Sequence, residues 1–230
     1  MIKCILWDID ATVLDFLSAE SASLKSTFKK LNLGECTDEA VAVYSKINQG
    51  YWQRLERGEV TKSQVLHNRF VDFLQTQGIT NVSAEEICRE YENGLGDIVV
   101  FIDNSFELLR ELKGEYKQYA VTNGAYVVQT RKLAKSGLND IFDGVFISDS
   151  VGYEKPSSEF FEYALAHIEP FSRDEILIVG DSLTSDMQGG NNAGIKCCWY
   201  NPSNSVNDKS VKIDFEIHNL NEIKELLKHN

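Results

Sequence analysis

The sequence predicts an α/β fold, a Rossmann-like parallel sheet core with an inserted all-helical domain. Three observations carry that reading. Short apolar runs at 3–7, 117–122, 144–147, 175–179 and 196–200 have the length and composition of buried strands. Helical patterns separate the last four, and such alternation with apolar strands implies a parallel sheet covered on both faces. Residues 16–99 contain no comparable run and read as helical throughout. The boundaries that follow are 1–15 and 100–230 for the α/β core and 16–99 for the insert.

Taken in order, the first strand is KCILW at 3–7, ended by Asp8. In the insert, Leu24, Phe28 and Leu31 fall at helical spacing, and a longer helix carries Val41, Tyr44, Trp52 and Leu55 up to Gly58. Thr61-x-x-Gln64 and Ser83-x-x-Glu86 are capping-box patterns, each opening a further helix. Back in the core, helices are expected at 104–113, at 125–136 before Gly137, at 157–168 and at 184–193 before Gly194. Asn219-x-x-Glu222 opens a final helix with Ile223, Leu226 and Leu227.

Composition bounds the function. The chain has 230 residues, 43% hydrophobic and 25% charged, which suits a globular protein with a sizeable core. No apolar stretch reaches the roughly 18 residues of a membrane span, and the N-terminus lacks a signal-peptide pattern, so a cytoplasmic location is expected. Lys and Arg total 23 against 35 Asp and Glu, a net charge of −12. A surface this acidic argues against a nucleic acid polymer as partner but leaves room for a small anionic substrate. The five cysteines include no C-x-x-C, which favours buried thiols over a disulfide framework or zinc site. A monomer or a homodimer is expected.

In open α/β sheets, ligands bind beyond the carboxyl ends of the strands. Those ends carry Asp8-Ile9-Asp10-Ala11-Thr12, then Thr122-Asn123-Gly124, then Glu154-Lys155-Pro156, and finally Gly180-Asp181 with Asp186. On these four motifs the chain resembles the haloacid dehalogenase (HAD) superfamily of phosphatases: D-x-D-x-[TV], a strand-terminal Thr, a Lys before Pro and G-D-x(3–4)-D, in the family's order. The helical insert is similar to its C1-type cap. One departure is Ala11, where a Gly is usual.

Three or four converging carboxylates repel one another, by about 1 kcal/mol per pair at 4 Å in water and about 4 kcal/mol at an effective dielectric of 20. They need protons or a cation, and an all-oxygen donor set suits Mg²⁺. The resemblance implies Asp8, the Asp10 backbone carbonyl and Asp181 as its ligands. It implies a phosphomonoester hydrolase with an aspartyl-phosphate on Asp8 and Asp10 as general acid and base. Thr122, the Asn123 N–H and Lys155 would neutralise the transferring group. Lys155 as a solvated loop lysine and Thr122 as a backbone-satisfied hydroxyl are the plainer alternatives. Asp186 orients Lys155 or a metal-bound water, or else caps the following helix.

Within the insert, Trp52, His67 and Arg69 combine aromatic faces with donors that could read a base, although packing between helices explains the same spacing. This segment is similar to the bacterial pyrimidine 5′-nucleotidase subgroup, which implies a nucleoside monophosphate as substrate. Sugar phosphates, acylneuraminate 9-phosphate, phosphomutase chemistry, dehalogenation and a silent interaction module stay open as alternatives.

Overall fold

The structure is a computed structural model, and it describes residues 1–229. Strand β1 (Cys4–Trp7) leads into four helices, α1 (Phe16–Lys30), α2 (Asp38–Glu56), α3 (Lys62–Gln77) and α4 (Ala84–Leu95). There follow α5 (Ser105–Leu112), β2 (Lys117–Thr122), α6 (Tyr126–Ser136), β3 (Gly144–Ile147), α7 (Ser148–Val151) and α8 (Ser158–Ala166). The chain ends with β4 (Ile176–Gly180), α9 (Gln188–Ala193), β5 (Lys196–Tyr200), β6 (Phe215–Ile217) and α10 (Ile223–His229). It divides into two compact units, Met1–Asp15 with Val100–Asn230, and Phe16–Val99.

The first unit is built on one parallel six-stranded sheet of order β3-β2-β1-β4-β5-β6. Every residue of β1 and β4 is buried, which is why these strands read as unbroken apolar runs. Side chains alternate between the faces. Cys4, Leu6, Ile176, Ile178 and Cys197 pack on one side with Phe160 and Phe161 of α8. From the other face of β1, Trp7 donates its Nε1 to Gln118 Oε1 at 3.1 Å, and Gln118 Nε2 donates to the Leu109 carbonyl of α5 at 2.9 Å. Strand order reverses about β1, because the chain runs outward to β2 and β3 and then returns to β4. The C-terminal ends of β1 and β4 therefore flank the crevice in which such sheets bind ligands.

Several local expectations hold. Gly137 and Gly194 end α6 and α9 in the left-handed conformation, at φ 75° and 67°. The Asn219–Glu222 box caps the turn that opens α10. Three features were not foreseen. Strand β6 has only three residues at the sheet edge, too few for a period to register. Helix α7 is a single turn. The helix expected from 184 begins as a π-helical turn over Leu183–Met187 before α9, a widening often found at functional sites.

The second unit is a bundle of α1–α4. Thr37, Thr61 and Ser83 cap α2, α3 and α4, with the full reciprocal box at Thr61–Gln64. Its core is aromatic: Tyr44 meets Phe70, Phe73 and Tyr91 at ring-centroid distances of 5.0, 5.3 and 5.2 Å.

Ala11 adopts φ 68° in the turn after β1. The left-handed region costs a residue with Cβ about 1–2 kcal/mol, while glycine costs about 0.4–1 kcal/mol through the unfolded chain. Ala11→Gly should therefore raise stability by about 0.5–1 kcal/mol, read as a higher denaturation midpoint with unchanged m-value. A lowered midpoint would show that the turn is unstrained.

Candidate active site

Strand register sets the site. Trp7 pairs with Ala120 on one side and Val179 on the other, and β2 and β4 run on only to Thr122 and Gly180. The backbone N–H of Asp8 continues the ladder to the Val179 carbonyl at 2.9 Å. Asp8, Thr122 and Asp181 thus leave neighbouring strands at the same edge.

Lys155 organises this edge. Its ammonium is 2% exposed and spends its three protons on Asp8 Oδ1 at 2.7 Å, Asp186 Oδ1 at 2.7 Å and the Val121 carbonyl at 2.9 Å. A buried ammonium is tolerated only when its donors are used in this way. Burial opposes its charge, but Asp186 and Asp8 outweigh burial and hold the group protonated well above the ordinary lysine range. The Asn123 amide clamps the same residue by its backbone. Its Nδ2 donates to the Lys155 carbonyl and its Oδ1 accepts from the Lys155 N–H, both at 2.8 Å.

Asp186 comes from the π-helical turn, and its Oδ2 accepts from the Ser182 N–H at 3.1 Å. It lies so close over Gly180 that a Cβ there would meet its carboxyl at 2.3 Å. Glycine at 180 is what admits Asp186 to the lysine. Asp181 is held by Thr12, whose hydroxyl lies 3.3 Å from Asp181 Oδ1 and accepts the Asp181 N–H at 3.1 Å. Thr122 Oγ1 accepts the Gly124 N–H at 3.0 Å.

Asp8, Asp181 and Asp186 can bring one oxygen each within 4.8 Å of the others. With all three carboxylates ionised and Lys155 as their cation, two negative charges are left uncompensated. Asp8 Oδ2 is moreover buried without a hydrogen-bond partner. An orphaned carboxylate oxygen beside two surplus charges fits a hard divalent cation. Burial pushes the Asp8 carboxyl up from 3.8 to about 7, against the pull of Lys155 and with a further push from Asp186. Burial, then Asp8 and Asp186, likewise hold Asp181 well above the carboxylate range.

The side chain of Asp10 is held by α6. Its Oδ2 accepts from Gln129 Nε2 and its Oδ1 from Lys132 Nζ, both at 2.5 Å. Neither α6 residue was singled out from the sequence, though each is a polar residue on the buried face of that helix, beside Val128 and Leu133. Thr12 was quoted only as part of a motif.

The three residues singled out in the helical unit are placed differently from one another. Arg69 is 3% exposed and donates to Asn48 Oδ1 at 3.1 Å and to Glu92 Oε1 at 3.3 Å. Asn48 in turn donates to the buried Glu20 at 2.9 Å. Trp52 Nε1 donates to Asn48 Oδ1 at 3.0 Å and is partly exposed. His67 lies 3.3 Å from Glu85 on the surface of the unit.

Fold and strand-end constellation together define an α/β protein with an acidic centre at its topological switch. The sequence pattern of the haloacid dehalogenase-like hydrolases matches residues 5–200, and the chain belongs to that family. It is 35% identical to the HAD-hydrolase YfnB of Bacillus subtilis over 98% of this chain and 95% of that one. It is 32% identical to the pyrimidine 5′-nucleotidase PynA of Streptococcus pneumoniae, covering 99% and 96%. Against the pyrimidine 5′-nucleotidase YjjG of Escherichia coli the identity is 30%, covering 97% and 96%. The crystal structure of YfnB bound to magnesium superposes with a TM-score of 0.91 at 34% identity, over 99% of both chains.

Raised acid pKa values make the metal-free site sensitive to pH. An acid whose native pKa exceeds its unfolded value binds protons more tightly when folded. Its stabilisation is therefore complete at low pH and is lost as pH rises from about 4 to about 7 for Asp8. Asp181 acts in the same direction. In chelator, Asp181→Asn should gain on wild type in melting temperature more at pH 8 than at pH 5. A difference independent of pH would mean that Asp181 is not strained by ionisation.

Proposed function

We propose that this protein is a Mg²⁺-dependent phosphomonoester hydrolase that works through an aspartyl-phosphate on Asp8, and that its substrates are pyrimidine nucleoside monophosphates. The observation that carries the chemistry is the pairing of a buried carboxylate having one orphaned oxygen with a fully engaged lysine and two further carboxylates. A dehalogenase needs no such acidic cluster. Solved dehalogenases are 16–22% identical to this chain and support the fold alone.

In this reading a carboxylate oxygen of Asp8 attacks phosphorus, and the bond from phosphorus to the leaving oxygen breaks. Asp10 gives that oxygen a proton, then takes one from the water that attacks the phospho-aspartate, releasing phosphate and restoring Asp8. Lys155, held by Asn123 and Asp186, and the Thr122 hydroxyl with the Asn123 N–H face the charge on the transferring group. Asp8, the Asp10 carbonyl and Asp181 would hold the metal, with Asp186 on Lys155. Bound Mg²⁺ supplies electrostatic stabilisation of the phosphoryl oxygens and neutralises the carboxylate cluster.

The substrate class rests on the near-full-length likeness to PynA and YjjG, which are pyrimidine 5′-nucleotidases. We assign recognition of the base to the helical unit, through Trp52 and His67. Arg69, engaged with Asn48 and Glu92, serves by holding Asn48 and so Trp52. The acid surface, with a net charge of −12, supports a small substrate over a nucleic acid polymer.

Asp8→Asn should lower phosphate release by about 10³-fold or more while leaving the fold intact, and chelation should silence the wild type. Activity within about tenfold of wild type in either case would overturn the mechanism. On a panel of dUMP, dTMP, UMP, purine nucleotides and hexose phosphates, the pyrimidine nucleotides should lead in kcat/KM. Hexose phosphates leading by about tenfold would remove the nucleotidase assignment and keep the phosphatase, since tenfold is only about 1.4 kcal/mol of discrimination.

A further inference from the structure

The grip of α6 on Asp10 is unusual in its cost. Lys132 and Gln129 are each 1% exposed. Burying an ammonium and a carboxamide between α6 and the turn after β1 is unfavourable where leucine or methionine would pack as well. The two residues stand three apart, so they share the face of α6 turned to the turn after β1. Each takes a different oxygen of the same carboxylate, at 2.5 Å in both cases. Asp10, 24% exposed at its side chain, is thereby fixed in rotation as well as position.

The strand-end motif before α6 is built to admit this contact. A Cβ on Gly124 would meet Gln129 Nε2 at 2.0 Å, so the amide lies directly on the glycine backbone. Gly124 also donates its N–H to Thr122 Oγ1. One short segment therefore seats both the Thr122 hydroxyl and the amide that steers Asp10. The Gln129 Oε1 has no partner, so the amide is held at its nitrogen end alone.

We propose that Gln129 and Lys132 are positioning residues for proton transfer, which set the rotamer from which Asp10 serves the leaving group and the attacking water. The proposal rests on the phosphomonoesterase reading. Lys132 and Gln129 reach the reaction through Asp10. Removing either should therefore imitate a weakened Asp10 and should spare the steps in which Asp10 has no part.

The test compares an alkyl phosphate, whose leaving oxygen needs a proton, with p-nitrophenyl phosphate, whose leaving group hardly does, in the Mg²⁺-loaded enzyme. Lys132→Met should lower kcat on the alkyl phosphate by about 10- to 100-fold and on p-nitrophenyl phosphate by less than about threefold, with KM within about twofold. In an Asp10→Asn background the same substitution should cost less than about twofold, because its route is already cut. Gln129→Met should show the same pattern at smaller size and decides the matter should Lys132→Met not fold. Equal losses on both substrates, additive losses in the Asp10→Asn background, or failure of both variants to fold would reduce the pair to a structural tie and overturn the proposal. A wild-type enzyme that hydrolyses neither phosphate would instead overturn the phosphomonoesterase reading, which keeps the two failures apart.

Discussion

Lys155 is a cation with no exit to solvent, and much of the site follows from satisfying it. Its three protons demand three acceptors in a tetrahedral spread, and the chain provides them from three separate places: Asp8 after β1, the Val121 carbonyl in β2, and Asp186 in the turn after β4. Each supplier needs its own local device. Asp8 is delivered by ladder register with β4, Asp186 by a π-helical turn over a glycine, and Lys155 itself by the amide clamp of Asn123. Breaking any of these would leave a buried charge unpaired, which costs several kcal/mol.

The same arrangement explains why the site is poised and not inert. One ammonium neutralises part of a three-carboxylate cluster, and burial denies the rest the screening of water. The outcome is a pair of acids, Asp8 and Asp181, held above their ordinary range. Such displaced acids gather where chemistry is done. A second pairing, Asp10 with Lys132, sits a short distance along the chain, and Asp10 adds only the smallest of the upward pushes on Asp8. Two carboxylates two residues apart thus have two distinct environments, which is the usual physical basis for giving like groups different tasks.

The helical unit handles polarity in another way. Glu20, Ser45, Asn48, Trp52, Arg69 and Glu92 form one connected set of hydrogen bonds inside an aromatic bundle. Networks of this kind specify one packing out of many because each member fails if its neighbour moves. Arg69 illustrates the limit of reading residue type alone: an arginine beside aromatic residues in a candidate pocket segment is equally the centre of a buried network.

By itself the sequence determined the alternation of apolar runs and helical periods, the helical block from 16 to 99, the caps at Thr61 and Ser83, and the four strand-end motifs. These are local in origin: period, capping chemistry and strand length are written in neighbouring residues, and the motifs sit where strands stop. Strand order, the register that brings the ends of β1, β2 and β4 together, and the choice of Asp186 as partner of Lys155 came only with the tertiary structure. So did Gln129 and Lys132, which lie 119 and 122 positions from the carboxylate they hold. Contacts across such separations depend on register and packing between elements, and no short-range pattern in the chain encodes them.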